Sequence, residues 1–386
     1  MPDPFSDIRM TTLLATRGAN YWSRRPVTRM DLLVGAYEDV SSADVPGFTD
    51  ALLAAMPGLV EHRCSIGERG GFVTRLRRGT YAPHIIEHVA LELQTMIGHD
   101  VGFGRTRGGD TEAEYTLVFE HRHEPVGLRA AALALETVQG AFAGTLTSVE
   151  HAVAELAALA VTDDVPPPQQ RVLCAITGGA LRAETRAELA RRGIGAGMDG
   201  AGADGLVVEV SPGYLLQAGL PYARSELAIV LDVQPTDVPE RYQEQERARR
   251  LIGTVADALP RGGVIIVPAK EWEVQDYARD GGCGVAVFAV DGDVTRRDKR
   301  VARTAGFVEG DRIRIEHRGE MRDGGAVRDD APLAAQVTAA IADFTLRERR
   351  PVPAPVPTPI PSPVAAASPR REPVSSVHTP EKLHGA

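Results

Sequence analysis

His84 and His88, four residues apart with Glu87 beside the second, are the residues whose types and spacing point most directly to chemistry in this 386-residue chain. On a helix, two imidazoles at that spacing project from adjacent turns of one face and can converge on one metal ion. The order His84-Ile85-Ile86-Glu87-His88 is the inverted zinc-hydrolase pattern, in which the histidines hold Zn²⁺ and the glutamate takes a proton from water. A third ligand must come from elsewhere, because Glu92 lies two turns on, about 12 Å along a helix axis. Glu92 can instead stand behind His88 as a hydrogen-bond acceptor that orients it. The candidates for the third ligand are Cys64, His62, Glu150 and Glu155. Cys64 is preferred, since Glu61-His62-Arg63-Cys64-Ser65 is a polar segment ahead of a glycine-rich turn and a thiolate is a strong zinc ligand. The competing reading of Cys64 is a small buried hydrophobe.

These side chains need a helix to carry them, and the spacing predicts one over residues 81–98. Pro83 suits its first turn, Ile85, Val89, Leu93 and Met96 recur at helical spacing, and Gly98 ends it. The face carrying His84, Glu87, His88 and Glu92 is then the one left for chemistry. The glycine-rich stretches Gly67–Gly71 and Gly102-Phe103-Gly104-Arg105 are read as turns, because neither follows a strand and opens a helix as a nucleotide loop must. Arg24, Arg25, Arg69, Arg75, Arg77 and Arg78 form either a face toward an acidic substrate or a solvated basic surface. His121 and His123 alternate along an expected strand and are read as surface residues.

Beyond this segment the chain divides by composition. Residues 1–162 mix strand and helix patterns, residues 163–170 hold three consecutive prolines without apolar rhythm and read as a linker, and residues 171–349 alternate short apolar runs with helical stretches. The expected strands there are Val172–Ile176, Leu206–Val210, Leu227–Val233 and Val264–Pro268, which together predict an α/β domain with a mainly parallel sheet. The fold class is therefore α/β, an α+β amino-terminal domain followed by that parallel-sheet domain. Residues 350–386 begin with proline at every second position from Pro351 to Pro363, which removes ladder and helix donors, and they are expected to be an extended, disordered tail.

Hydrophobic residues at 43% and charged residues at 25% fit an ordinary soluble globular chain. With 43 Lys and Arg against 52 Asp and Glu, the net charge of −9 argues against a dedicated nucleic-acid binder. No apolar run nears the roughly 20 residues a bilayer span needs, so no membrane partner is expected. The start lacks a secretory pattern, and three cysteines, Cys64, Cys174 and Cys283, cannot build a disulfide framework, so a cytoplasmic location is expected.

Several motifs in register carry a family resemblance: Arg17-Gly18-Ala19-Asn20-Tyr21-Trp22-Ser23, Pro46-Gly47-Phe48, Glu61-His62-Arg63-Cys64-Ser65, Gly67-Glu68-Arg69-Gly70-Gly71-Phe72, His84 to Gln94, and Val101-Gly102-Phe103-Gly104-Arg105. Over roughly residues 10–160 the chain resembles the amino-terminal domain of cyanophycin synthetase. That family joins Asp and Arg into a branched polymer with an ATP-grasp and a Mur-ligase-like domain, while its amino-terminal domain holds the polymer. Some members look able to use that domain as a metal-dependent hydrolase, through the motif standing here as His84, Glu87 and His88. The ATP-grasp domain expected after this segment has no room between residues 162 and 171.

The second segment resembles a degenerate Mur-ligase-like domain, on Leu206 to Leu220 followed by Leu227 to Val233. The family's phosphate loop is replaced by Thr177-Gly178-Gly179-Ala180-Leu181-Arg182, which lacks the Gly-Lys-Thr core, and Arg182 sits one position away from the missing lysine. Gln234-Pro235-Thr236-Asp237 stands where an Asp-His pair is expected. Glu209 matches a magnesium-binding glutamate but, without its partners, is assigned a structural role. No ATP binding is expected. The function expected is metal-dependent hydrolysis of amide bonds in cyanophycin or a related Asp/Arg peptide polymer. The alternative is a non-catalytic pseudoenzyme that binds polymer or a full-length ligase, and an ATP-dependent ligase ranks last. A homo-oligomer is expected.

Overall fold

Alternation along Val27–Leu33 sets the first layer: Met30 and Leu32 point into the core, while Arg29 and Asp31 pair with each other on the opposite face through two hydrogen bonds of 3.1 and 2.9 Å. In the computed structural model, which describes residues 2–109, 111–161, 172–195, 205–290 and 294–349, this strand is β2 of a four-stranded antiparallel sheet. Its other members are β1 (Arg9–Ala15), β3 (Gly104–Gly108) and β4 (Glu114–Glu120), in the order β1-β2-β4-β3. Two long helices, Ala82–Met96 and Glu124–Phe142, pack together against one face and enclose a core that includes Met30, Leu32, Phe48, Leu76, Ile85, Val89 and Phe119. Gly104 and Arg105, read as part of a turn, instead open edge strand β3 beside the helix Ala82–Met96.

An eight-stranded sheet follows: β5 (Val172–Thr177), β6 (Leu206–Glu209), β7 (Ser225–Val230), β8 (Val264–Pro268), β9 (Gly284–Ala289), β10 (Thr304–Glu309), β11 (Arg312–His317) and β12 (Glu320–Ala326). The order is β12-β11-β10-β9-β8-β7-β5-β6. Strands β5 to β10 run parallel, and β11 and β12 add two antiparallel strands at one end, with β12 at the edge. The antiparallel first sheet with its helices is thus the α+β part, and the mainly parallel second sheet the α/β part. The four parallel strands read from sequence are β5 to β8; β9 to β12 were not anticipated.

The described residues up to Glu348 form one compact unit. Within it, Tyr21, Trp22, Val27 and Val118 share a buried cluster with Leu220, Val230, Tyr242 and Leu251. The linker expected at 163–170 and the tail expected at 350–386 lie outside the described residues. Among the described residues no helix is long and apolar enough to cross a membrane.

Candidate metal centre

The helix Ala82–Met96 begins where Tyr81 leaves an extended backbone and Pro83 occupies the first turn, where its missing N–H costs nothing. It ends in a left-handed glycine, Gly98 at φ +87°, with the His99 N–H returning to the Gln94 carbonyl at 3.0 Å. Ile85, Val89 and Leu93 are fully buried against the sheet. The opposite face is buried too: Glu87, His88 and Glu92 are only 4–6% exposed. They line a cleft of about 970 Å³ together with His62, Cys64, His84, Arg105 and Thr106.

Cys64, His84 and His88 each bring one donor atom to within 4.8 Å of the others. Cys64 Sγ lies 3.3 Å from His84 Nε2, and the far nitrogen of His84, Nδ1, is 2.9 Å from Thr80 Oγ1. Cys64 reaches this position from a backbone of φ +53°, a left-handed conformation that non-glycine residues rarely hold. The helix Gly71–Arg78 presses on this turn closely enough that a Cβ at Gly71 would stand 2.0 Å from the Arg63 carbonyl oxygen.

Behind His88 stands a relay. His62 Nδ1 is 2.8 Å from His88 Nδ1, and His62 Nε2 is 3.0 Å from Glu92 Oε2. With the Glu92 carboxylate accepting the N–H at Nε2, a neutral His62 offers Nδ1 as an acceptor. His88 then donates from Nδ1 and keeps its lone pair on Nε2. Glu92 therefore orients His88 through His62, where direct contact was expected. The space for its carboxylate exists because residue 58 is glycine: a Cβ there would sit 1.8 Å from Glu92 Oε1.

Electrostatics follow burial. Desolvation pushes the His84 imidazole down to about 4, with the Arg75 guanidinium adding to the effect. His88, whose ring stacks on Phe72 at 3.9 Å, is pushed far below the ordinary histidine value, first by burial and then by His84, His62 and Arg75. Both rings are neutral near pH 7, the form that ligates metal. Burial raises Glu87 to about 7, against the opposing pull of the Thr106 hydroxyl, which donates to Oε2 at 2.5 Å, and of Arg105. Gly104 makes room for this carboxylate, since a Cβ there would meet Glu87 Oε1 at 2.5 Å.

The remaining candidates fall elsewhere. Glu155 is paired with Arg129 by hydrogen bonds of 2.6 and 3.0 Å, and Glu150 is exposed at the start of another helix. Arg24 pairs with Asp257, Arg25 with Glu120 and Arg69 with Glu61, so of the six arginines singled out only Arg75 lines the cleft. Arg63 and Arg105 also line it and were missed, although both stand in motifs that carry the family resemblance. His121 is buried, 3.0 Å from Thr28 Oγ1, contrary to the surface reading: it lies just beyond β4, where the chain turns inward beneath the helix Glu124–Phe142.

In the second sheet, the turn after β5 holds the Asp232 carboxylate. The Gly179 N–H donates to Asp232 Oδ1 at 2.8 Å and the Ala180 N–H to Oδ2 at 3.2 Å. Arg182 bonds the Gly178 carbonyl, and Glu209 pairs with Arg186 at 3.3 Å.

Residues 29–143 match the family model described as Cyanophycin synthase-like N-terminal domain. The cyanophycin synthetase of Synechocystis sp. is 39% identical over 176 residues, 43% of this chain and 20% of its own length. That of Geminocystis herdmanii is 46% identical over 121 residues, 31% of this chain and 14% of its own. The chain thus spans about a fifth of the length of the first of these relatives. Among solved structures, MurF from Acinetobacter baumannii aligns with 46% of this chain and 42% of its own at 14% identity and a TM-score of 0.30. The MurF ligase from Thermotoga maritima in complex with ADP aligns with 46% and 45% at 10% identity and 0.32. The segment that carries Cys64, Glu87 and both histidines is therefore a cyanophycin synthase-like N-terminal domain, within a chain that resembles the cyanophycin synthetase family.

Proposed function

We propose that the cleft is a metal-dependent hydrolase site acting on amide bonds of cyanophycin or a related Asp/Arg peptide polymer. The observation that carries this reading is the convergence of one thiol and two neutral imidazoles within 4.8 Å, in the same cleft as the buried carboxylate of Glu87. That donor set fits Zn²⁺, which takes sulfur and nitrogen ligands and, in catalytic sites, three from the protein. Cys64, His84 and His88 would hold the ion. When bound, it supplies Lewis-acid polarisation of an amide carbonyl and water activation.

The chain's own residues supply the rest. Glu87, raised to about 7, exchanges a proton near neutral pH and serves as the base toward water in the cleft. The Thr106 hydroxyl occupies Oε2 and leaves Oε1 as the accepting atom. Glu92 and His62 hold His88 in its ligating tautomer. A cleft of about 970 Å³ admits a stretch of peptide. The substrate class comes from the cyanophycin synthetase relatives and from arginine and glutamate side chains sharing the walls. Asp232 holds the Gly179 and Ala180 N–H groups of the glycine turn, which favours hydrolysis over ATP-dependent ligation. The domain limits at 162 and 171, a cytoplasmic setting, a full-length ligase as partner and self-association belong to the same proposal.

The test is incubation of zinc-loaded protein with a soluble Asp-Arg polymer while new amino groups are counted. Release that stops on adding a chelator and resumes with zinc is expected. A polymer that stays intact while remaining bound would move the assignment to a non-catalytic binding protein.

A further inference from the structure

We propose that the free edge of β3 binds the main chain of the substrate peptide by strand addition, so that the peptide runs as a fifth strand past Glu87. This deepens the hydrolase reading by giving the substrate a path, whereas the pairing itself needs neither metal nor cleavage.

β3 ends its sheet, and its register with β4 decides which of its main-chain groups are free. The Glu120 N–H donates to the Phe103 carbonyl at 2.9 Å, and the Gly109 N–H donates to the Glu114 carbonyl. Between these two ends Arg105 faces Val118 and Arg107 faces Thr116, so the bonded pairs recur at every second residue. The N–H and C=O groups of Gly104, Thr106 and Gly108 therefore point away from β4. Among the described residues none of them has a hydrogen-bond partner.

Proteins ordinarily blunt an edge of this kind. The opposite edge strand, β1, carries a bulge between Met10 and Thr12, whereas β3 pairs without a break and holds no proline. The edge also leads to the chemistry. Gly104 and Thr106 line the cleft of about 970 Å³, and Arg107 and Gly108 lie exposed. The missing side chain of Gly104 leaves room for Glu87 Oε1 and the Thr106 hydroxyl holds Oε2, so a chain laid along this edge passes the carboxylate. From Gly104 to Gly108 is about 14 Å at roughly 3.4 Å per residue, the length of a short peptide.

The occupant is a single extended chain. A second copy pairing edge to edge would set Arg105 and Arg107 beside those of the first, an unfavourable meeting of like charges. An Asp/Arg peptide brings carboxylates to the same side chains. Because side chains alternate along a strand, Thr106 stands on the face of Glu87 while Arg105 and Arg107 stand on the other. Successive residues of an added strand would meet these two faces in turn.

The experiment uses the full chain with chelator present throughout, so its result is the same whether or not the protein cleaves. A fluorescein-labelled hexamer of Asp-Arg units is followed by anisotropy, alongside two forms that each carry two main-chain N-methyl groups. Methyl groups on the second and fourth residues leave one edge of the peptide intact, and this form should bind as the unmethylated peptide does. On the third and fourth residues they block both edges, and affinity should fall about tenfold or more. Gly108→Pro removes one outward N–H without costing a bond to β4, and should weaken binding about threefold to tenfold. Gly108→Ala keeps that N–H, and its Cβ meets nothing within 4 Å, so it should bind as wild type does. Equal binding of the two methylated forms, no saturable binding of the unmethylated peptide, or equal binding by folded Gly108→Pro and Gly108→Ala overturns the proposal. A wild-type dimer that Gly108→Pro converts to monomer assigns the edge to a second copy and overturns it too.

Discussion

His62 Nδ1 and His88 Nδ1 lie 2.8 Å apart, so one of the two rings must donate and the other accept, and the Glu92 carboxylate at the far side of His62 decides which. Replacing Glu92 with Gln weakens that control without touching a ligand. Zinc affinity is expected to fall about 10- to 100-fold, the usual scale for losing a residue behind a metal ligand. Gly58→Ala should give the same phenotype, because its Cβ displaces the Glu92 carboxylate. Competition with a chromophoric chelator measures both. Unchanged affinity in Glu92→Gln would remove the relay from the account.

The first sheet and the second are joined through main chain at Gly18. The Leu220 N–H donates to the Ala19 carbonyl at 2.8 Å, and a Cβ on Gly18 would stand 2.6 Å from the Leu220 carbonyl oxygen. Gly18→Ala should destabilise by about 1–3 kcal/mol, the range for overpacking a fitted contact. Urea unfolding checks this, and one transition is expected because the described residues up to Glu348 form one unit. Truncation after Arg349 should leave the midpoint unchanged.

Acid stability should depend on His121. Burial depresses its imidazole to about 4, with His123 adding to the shift and Glu124 opposing it, whereas the unfolded side chain titrates near 6.5. The unfolded state therefore takes the proton first as pH falls. The contribution is complete above about 6.5 and is lost progressively down to about 4, up to about 3 kcal/mol. Denaturation at pH 7 and pH 4.5 should show a smaller loss in His121→Gln than in wild type. Equal losses would contradict the assignment.

The turn after β5 yields a prediction about nucleotide. With the Gly179 and Ala180 N–H groups held by Asp232 and no lysine following, titration with Mg-ATP should reveal no micromolar site. Saturable tight binding, with incorporation of Asp or Arg, would restore a ligase.

Much of the site was legible because its parts obey local rules. The four-residue histidine spacing, Pro83 and Gly98 define the helix to within a residue or two, and Cys64 was singled out by the polarity around it. The roles of Gly58 and Gly104 were not legible, since each is a gap opposite a carboxylate on another element. The His62 relay likewise depends on the 3₁₀ turn Pro57–Glu61 folding over the helix. In the second sheet, β5 and β8 read as strands because they are almost wholly apolar, and β7 because its run from Leu227 onward is. The later edge strands are charged, and β12 is largely exposed. Two signals were available for β11. Ile313 and Ile315 alternate with charged residues, and the Arg318-Gly319 turn, with both φ positive, favours a hairpin.

The central claim is that Glu87 is a base and His84, His88 and Cys64 are ligands, and one paired measurement separates these roles. Zinc content by elemental analysis is taken alongside peptide release from a soluble Asp-Arg polymer, for wild type, His88→Ala and Glu87→Gln. The account predicts about one zinc per wild-type chain and loss of both metal and cleavage in His88→Ala. In Glu87→Gln, metal should be retained with cleavage reduced about 10²-fold or more. A wild-type protein that binds no zinc, or a Glu87→Gln variant that cleaves as fast as wild type, would contradict it.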